Sequence, residues 1–90
     1  MNVHVAIQNT VAQIQGMVIE TITCQNNFWK IVVTKNDIMI AFEVDAISHM
    51  ICVLEKKNLG YKSLSRFMNT FIEEMESLEG DEDPINPARD

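Results

Sequence analysis

The first part of the chain carries apolar residues at the three- and four-residue spacing of a helix. They are Val3, Ile7, Val11, Ile14 and Val18. Polar glutamines and asparagines lie between them, and Gly16 stands where such a helix would end. Val3, Val5 and Ile7 also alternate as in a strand, which keeps a short strand open as the alternative. The spacing over the whole segment favours a first helix.

After Gly16 the pattern changes to β-branched residues in short alternating runs. These runs predict three strands, over residues 18–24, 28–34 and 38–44. The links between them are rich in Asn and Asp, which tolerate positive φ and form tight turns. Consecutive strands with such short links pair antiparallel, so we expect a three-stranded meander.

Two further helices are predicted beyond the strands. Asp45 is a suitable N-cap for a helix over residues 46–58, which would present a broad apolar face. Ser63 would cap a third helix, which has the clearest amphipathic spacing in the chain and would end at Gly80. We therefore expect an α+β fold in the order α-β-β-β-α-α, with a three-stranded antiparallel sheet flanked by helices.

Length and composition limit the chain to one domain. Its 90 residues, 47% of them hydrophobic, can bury one core and leave no room for a second. We expect a single globular domain over residues 1–80 and an acidic, disordered tail over residues 81–90, which contain both prolines. The longest apolar runs have five residues, far fewer than the ~20 that span a bilayer. No basic and then apolar leader is visible, so we expect a cytoplasmic protein with no membrane partner.

The second and third predicted strands carry apolar side chains on both faces. One face can be covered by the helices of the chain, and the surplus on the other suggests a further helix or a partner subunit. The predicted dimer face consists of Phe28, Val32 and Met39. A homodimer is therefore expected.

Net charge is −6, and it is distributed unevenly along the chain. Residues 1–72 contain six Lys/Arg and five Asp/Glu, whereas residues 73–90 contain one Arg and eight Asp/Glu. Most of these acids fall within one predicted partner-binding surface. Its members are Glu73, Glu74, Glu76, Glu79, Asp81, Glu82 and Asp83. Such a surface suits a protein partner with a basic face, including a nucleic-acid-binding complex; the alternative is a solvated helix face and a solubilising tail.

No pattern of catalytic or metal-binding residues stands out in the sequence. The glycines are placed at predicted helix ends rather than in a phosphate-binding loop, and no nucleophile turn is recognisable. His49 and Cys52 would share a face of the second predicted helix, but the paired ligands typical of zinc sites are missing. Cys24 and Cys52 are expected to be free, buried thiols. We expect no enzyme activity, no cofactor and no metal.

Residues 56–66 offer an alternative function in nucleic-acid binding. They would join two helices through a turn containing Gly60, and Lys57, Lys62 and Arg66 would contact phosphates, as in a helix-turn-helix regulator. The acidic residues that follow in the same helix would repel the phosphates, which counts against this function.

The combined features favour a non-enzymatic inhibitor or adaptor that binds a protein through the acidic surface. Small size, a strand-rich middle and an acidic end are similar to those of short phage and plasmid accessory proteins that block host nucleases or CRISPR effectors. This likeness is one of composition and length, covers no motif, and implies an anti-CRISPR or anti-restriction type of function. The main alternative is a small dimeric chaperone or assembly factor that binds through an apolar sheet face.

Overall fold

A computed structural model describes the chain over residues 3–82, with side chains described up to residue 78. The elements follow in the order α-β-β-β-β-α. They are α1 (Val3–Ala12), β1 (Val18–Gln25), β2 (Phe28–Lys35), β3 (Ile38–Asp45), β4 (Ile51–Lys57) and α2 (Tyr61–Glu82). The expected α+β class and the antiparallel sheet flanked by helices are confirmed, whereas the predicted numbers of strands and helices are wrong. Neither helix described is long and apolar enough to cross a membrane.

The four strands form one antiparallel meander in the order β1-β2-β3-β4. Two-residue turns join β1 to β2 and β2 to β3, and asparagines give these turns their geometry. Asn26 and Asn27 have φ of 53° and 67°, and Asn36 has φ of 53°. In the first turn both central residues have positive φ, the geometry that matches the right-handed twist of the strands. The predicted strand positions and turn chemistry of this region are therefore confirmed.

Both helices pack on one face of the sheet and enclose the core. The buried apolar residues of the core are Val3, Ala6, Ile7, Val11, Ile31, Val33, Ile40, Phe42, Val44, Phe67, Phe71 and Met75. Phe42 lies at its centre, with edge-on ring contacts to Phe67 at 5.9 Å and Phe71 at 5.5 Å between centroids. Such edge-to-face pairs are the favoured aromatic geometry. The helical spacing in α1 and α2 therefore marks the residues that cover the sheet.

The end of α1 lies beside the middle of α2. The carboxylate of Glu74 accepts hydrogen bonds from the side-chain amides of Asn9, at 3.3 Å, and Gln13, at 2.9 Å. With 10 residues in α1 and 22 in α2, the helices are about 15 Å and 33 Å long. Because Gln13 follows α1 directly, the first half of α2 extends beyond the end of α1.

The helix predicted over residues 46–58 is wrong, because this segment forms a turn and then β4. Asp45 caps this turn rather than a helix. Its Oδ1 accepts hydrogen bonds from the backbone N–H groups of Ile47 and Ser48, at 2.8 and 3.2 Å. His49 has φ of 66°, which no α-helix permits, and it turns the chain back along β3. A short apolar run fits either element by periodicity. The strand is favoured here because it pairs the outer backbone groups of β3, which a helix would have left without a partner strand.

The bounds predicted for the last helix are also wrong at both ends. α2 begins at Tyr61 rather than at a Ser63 cap, and the carbonyl of Gly60 accepts the N–H of Leu64 at 3.0 Å. The helix continues through Gly80 to Glu82, because one glycine costs only about 1 kcal/mol in a helix. The predicted tail lies outside the described residues from residue 83 onward.

Candidate protein interface

Exposed apolar side chains gather along β4, the turn before it and the neighbouring flank of α2. They are Ile47, Met50, Val53, Leu54, Tyr61 and Ile72, which we name the β4 edge surface. Ile47, Met50 and Tyr61 are the most exposed of them, at 76%, 73% and 77%. Two other large apolar residues, Val18 and Phe28, are exposed elsewhere on the sheet.

β4 is an edge strand, so one side of its backbone has no partner strand among the described residues. Val53 lies directly opposite Phe42, so its side chain points to the helix-covered face, yet it remains 39% exposed. Leu54 lies where the pairing with β3 shifts register, as in a β-bulge. The opposite edge, β1, is mostly polar, with Glu20, Thr21 and Thr23 exposed. The two edges of the sheet therefore differ in chemistry.

α2 contributes a second apolar stripe beside the stripe that enters the core. Tyr61, Met68 and Ile72 are seven and four residues apart, which places them along one side of the helix. Glu74, which binds α1, points to nearly the opposite side from Ile72. Since α1 occupies the Glu74 side, the stripe faces the β4 side.

Lys56 ties the start of α2 to β4. Its ammonium lies 4.5 Å from the centroid of the Tyr61 ring and donates a 2.8 Å hydrogen bond to the carbonyl of Leu59. A cation over an aromatic ring is attracted by the ring's negative face. Tyr61 and the end of β4 are thereby held together.

The predicted acidic surface is divided by the structure. Glu73 and Glu76 are exposed on α2, whereas Glu74 is half-buried and bound to α1. Glu79, Asp81 and Glu82 lie within the bounds of α2 but beyond the described side chains, and Asp83 lies outside the described residues. Of the seven predicted contacts, two are therefore placed together on an exposed helix face.

The predicted dimer face lies on the side of the sheet that faces away from the helices. Val32 and Met39 are half-buried there, and Phe28 is 48% exposed. Lys30 and Glu43 stand directly opposite each other on the same side. This open face is consequently mixed in polarity, and it is less apolar than the β4 edge surface.

The proposed helix-turn-helix is not formed, because residues 56–66 join a strand to a helix. Lys57 ends β4, and Lys62 and Arg66 lie in the first two turns of α2. The DNA-binding alternative therefore lacks the helix-turn-helix geometry on which it was based.

His49 and Cys52 do not share a helix face, since one lies in the turn and the other on β4. No group of three or more His, Cys, Asp or Glu is arranged for a metal within the described part of the chain. Cys24 and Cys52 are free and exposed, so their predicted burial is wrong. Both lie on edge strands, which are only half covered by neighbours.

The carboxylate of Asp45 accepts hydrogen bonds within the turn that carries Ile47 and Met50. The backbone N–H groups of Ile47 and Ser48, which donate to its carboxylate, lower the pKa of Asp45 below its ordinary value. The charged form is therefore favoured, and it fixes the turn that presents Ile47 and Met50 to solvent.

The β4 edge surface was missed by sequence reasoning because residues 50–54 were assigned to a helix. Ile51 and Val53 are β-branched and the apolar run is short, which was the available signal for a strand. No protein-family model, curated protein or solved structure matches this chain.

Proposed function

We propose that the protein is a non-enzymatic adaptor or assembly factor that binds an extended, apolar segment of another protein chain along the β4 edge surface. The observation that supports this function is the concentration of exposed apolar side chains beside an unpaired strand edge. An unpaired edge offers backbone hydrogen bonds to an added strand, and flanking apolar side chains make the contact specific.

The distribution of charge along β4 supports the same function. Natural edge strands are commonly protected from pairing by lysines, bulges and short length. β4 has Lys56 and Lys57 near its end, and Glu55 lies 4.0 Å from Lys57. Its first half, with Val53 and the preceding Met50, lacks such charges. A partner strand would therefore bind the first half and leave the charged end in solvent.

A charge placed in the apolar half of β4 tests the function. We expect Val53→Glu to abolish capture of protein partners by the tagged protein, because a carboxylate cannot be buried unpaired in such a contact. Val18→Glu on β1 is the matched control, since Val18 is 56% exposed on the opposite edge. Capture is compared by quantitative mass spectrometry, and light scattering records whether the lost partner is a second copy. Equal capture by both variants would contradict binding along β4.

Alkylation of the two cysteines gives an independent measurement of the same contact. Cys52 lies on β4 and Cys24 on β1, and both are exposed. Partner binding along β4 should slow the alkylation of Cys52 and leave that of Cys24 unchanged.

Docking of a basic protein on the acidic face of α2 is the second candidate function. It is favoured by the charge order of α2, with Lys62 and Arg66 near its start and Glu73 and Glu76 towards its end. The charges towards both ends of α2 have the sign that the helix dipole disfavours, so helix stability does not explain why they are placed there. In this function the protein would inhibit a partner, for example by covering a surface that holds nucleic acid.

Different substitutions distinguish the two candidate functions. Under the acidic-docking function, the double variant Glu73→Lys/Glu76→Lys should weaken partner binding and flatten its dependence on salt, whereas Val53→Glu should bind normally. Glu20→Lys on β1 is the matched control for a charge reversal at an exposed position. Unchanged affinity and salt dependence in the double variant would exclude Glu73 and Glu76 as contacts.

A further inference from the structure

A cleft opens where the helix layer over the sheet is incomplete. α1 is less than half as long as α2, and the chain passes from its end into β1 through residues 13–17. Beside the first half of α2 this leaves a cavity of about 460 Å³, within the ~300–1,000 Å³ of small-molecule pockets. The cleft lies on the α1 side of α2, away from the β4 edge surface.

The lining of the cleft is apolar in part, with polar Gln13 and Thr70 also present. Its partly exposed apolar side chains are Ile14, Met17, Ile38 and Leu59, and the buried Ile40 and Phe67 lie beneath them. An aliphatic chain bound here would be stabilised by roughly 25 cal/mol for each Å² of apolar area removed from water. The partly exposed apolar side chains therefore offer a hydrocarbon chain a surface to cover.

Among the described residues, the lining of the cleft carries two cations and no anion. Lys35 and Arg66 both line it, and none of the described lining residues is Asp or Glu, although the chain has a net charge of −6. Within residues 3–78 neither cation forms an ion pair. The stem of Lys35 runs along Gly16, with Cε 3.7 Å from the position of an added β carbon. The cleft therefore combines a partly apolar lining with positive charge at one place on an acidic protein.

We propose that this cleft binds a single-chain aliphatic carboxylate, such as a medium-chain fatty acid, with its tail on Ile14, Met17 and Leu59 and its head between Lys35 and Arg66. The planar guanidinium of Arg66 pairs with a carboxylate through two parallel hydrogen bonds, and Lys35 adds a mobile point charge. Ser63, exposed on the rim, can donate its hydroxyl to the same head group. This ligand site goes beyond the proposed protein-binding function and is independent of it.

Titration with sodium decanoate, below its micelle concentration, tests the site in the full chain. In two-dimensional amide NMR spectra we expect saturable shifts around Gln13, Lys35 and Arg66. Decan-1-ol has the tail without the charge, and acetate has the charge without the tail. Both should bind at least tenfold more weakly than decanoate. Equal affinity for decanol and decanoate would overturn the role of the two cations, and the absence of saturable shifts with decanoate would overturn the site.

Matched variants separate the cleft from general charge effects. Lys35→Gln/Arg66→Gln should raise the dissociation constant for decanoate at least tenfold. Lys57→Gln/Lys62→Gln removes the same two charges from positions outside the cleft and should leave it unchanged. An equal loss in both double variants would overturn the proposal, because it would mean a nonspecific charge effect.

A variant that fills the cleft tests the site without removing a charge. Ser63→Phe, at an exposed helix position, should abolish decanoate binding while the amide spectrum remains that of the folded protein. Unweakened binding in this variant would place the ligand elsewhere and overturn the site. Val53→Glu should bind decanoate normally, so failure of the β4 edge proposal and failure of the cleft proposal are told apart.

Discussion

At the scale of single residues, short polar side chains decide where the sheet turns. Asn26, Asn27 and Asn36 adopt positive φ, which costs roughly 1–2 kcal/mol for most residues and less for asparagine. Asp45 fixes the last turn by accepting two backbone N–H groups. These residues set the positions at which the chain reverses, and so they fix which side chains reach the core.

Asp45 gives a prediction about pH. Because its hydrogen bonds lower the pKa in the folded state, the folded protein binds this proton less tightly than the unfolded chain does. The stabilisation is thus present above the unfolded pKa, near pH 4, and is lost as the pH falls through the lower folded pKa. Asp45→Asn keeps a side-chain oxygen but cannot titrate there.

The measurement compares urea unfolding of the wild type and of Asp45→Asn at pH 6 and at pH 3. We expect the wild type to be more stable at pH 6, with the difference shrinking at pH 3. A difference that stays constant between the two pH values would show that the charge of Asp45 does not stabilise the turn.

At the scale of elements, the attachment of α1 to α2 combines apolar packing with one polar contact. Val3, Ile7 and Val11 enter the core, while Glu74 holds the end of α1 through Asn9 and Gln13. This contact is half-exposed, so the core supplies most of the stability and Glu74 sets the position of α1 along α2. The same position leaves the cleft open.

Glu74→Ala should therefore loosen α1 without unfolding the domain. We expect a loss of about 1 kcal/mol in the free energy of unfolding, since two hydrogen bonds to a carboxylate are removed at a partly exposed site. Amide hydrogen exchange in α1 should become faster, with the strands unchanged. Glu73→Ala, one residue away and exposed, is the control and should stay within ~0.5 kcal/mol of the wild type. Similar effects of the two substitutions would contradict the role of Glu74.

At the scale of the whole molecule, the strand order separates the two cysteines. β1 and β4 are the two outer strands, so Cys24 and Cys52 lie on opposite edges of the sheet. With about 4.8 Å between neighbouring strands, the two positions are roughly 14 Å apart, beyond the ~6.8 Å limit between α carbons for a disulfide.

Mild oxidation of the native protein should therefore produce no intramolecular disulfide. Both thiols are exposed, so each should react with a thiol reagent without denaturant. Peptide mapping by mass spectrometry distinguishes a Cys24–Cys52 bond from bonds between molecules. A bond between these two cysteines within one folded chain would contradict the order of the strands.

Much of the fold could be predicted because local chemistry agrees with the final structure. The spacing of Val3, Ile7 and Val11 marks α1, and the asparagine turns mark the first three strands. The segment after Asp45 could not be assigned in this way, because a capping aspartate and a short apolar run fit either a helix or a turn and strand. Pairing with β3 decided between them.

The candidate sites were less predictable than the fold. Glu73 and Glu76 were recognised as acidic and are exposed together, but the attachment of Glu74 to α1 depends on a contact between distant parts of the chain. Val53 belongs to an interaction surface only because β4 lies at an edge. Lys35 and Arg66 meet at one cleft only because α1 is short and the turn between β2 and β3 lies beside α2.

The sequence by itself determined the α+β class, the first helix, the meander of the first three strands and the amphipathic character of α2. These features depend on periodicity and turn chemistry, which act between near neighbours in the chain. Only the tertiary structure decided that residues 51–57 form an edge strand, that apolar side chains remain exposed there, and that Lys35 and Arg66 line the same cleft. Strand pairing and helix packing join residues far apart in sequence, and no local pattern specifies which of them meet.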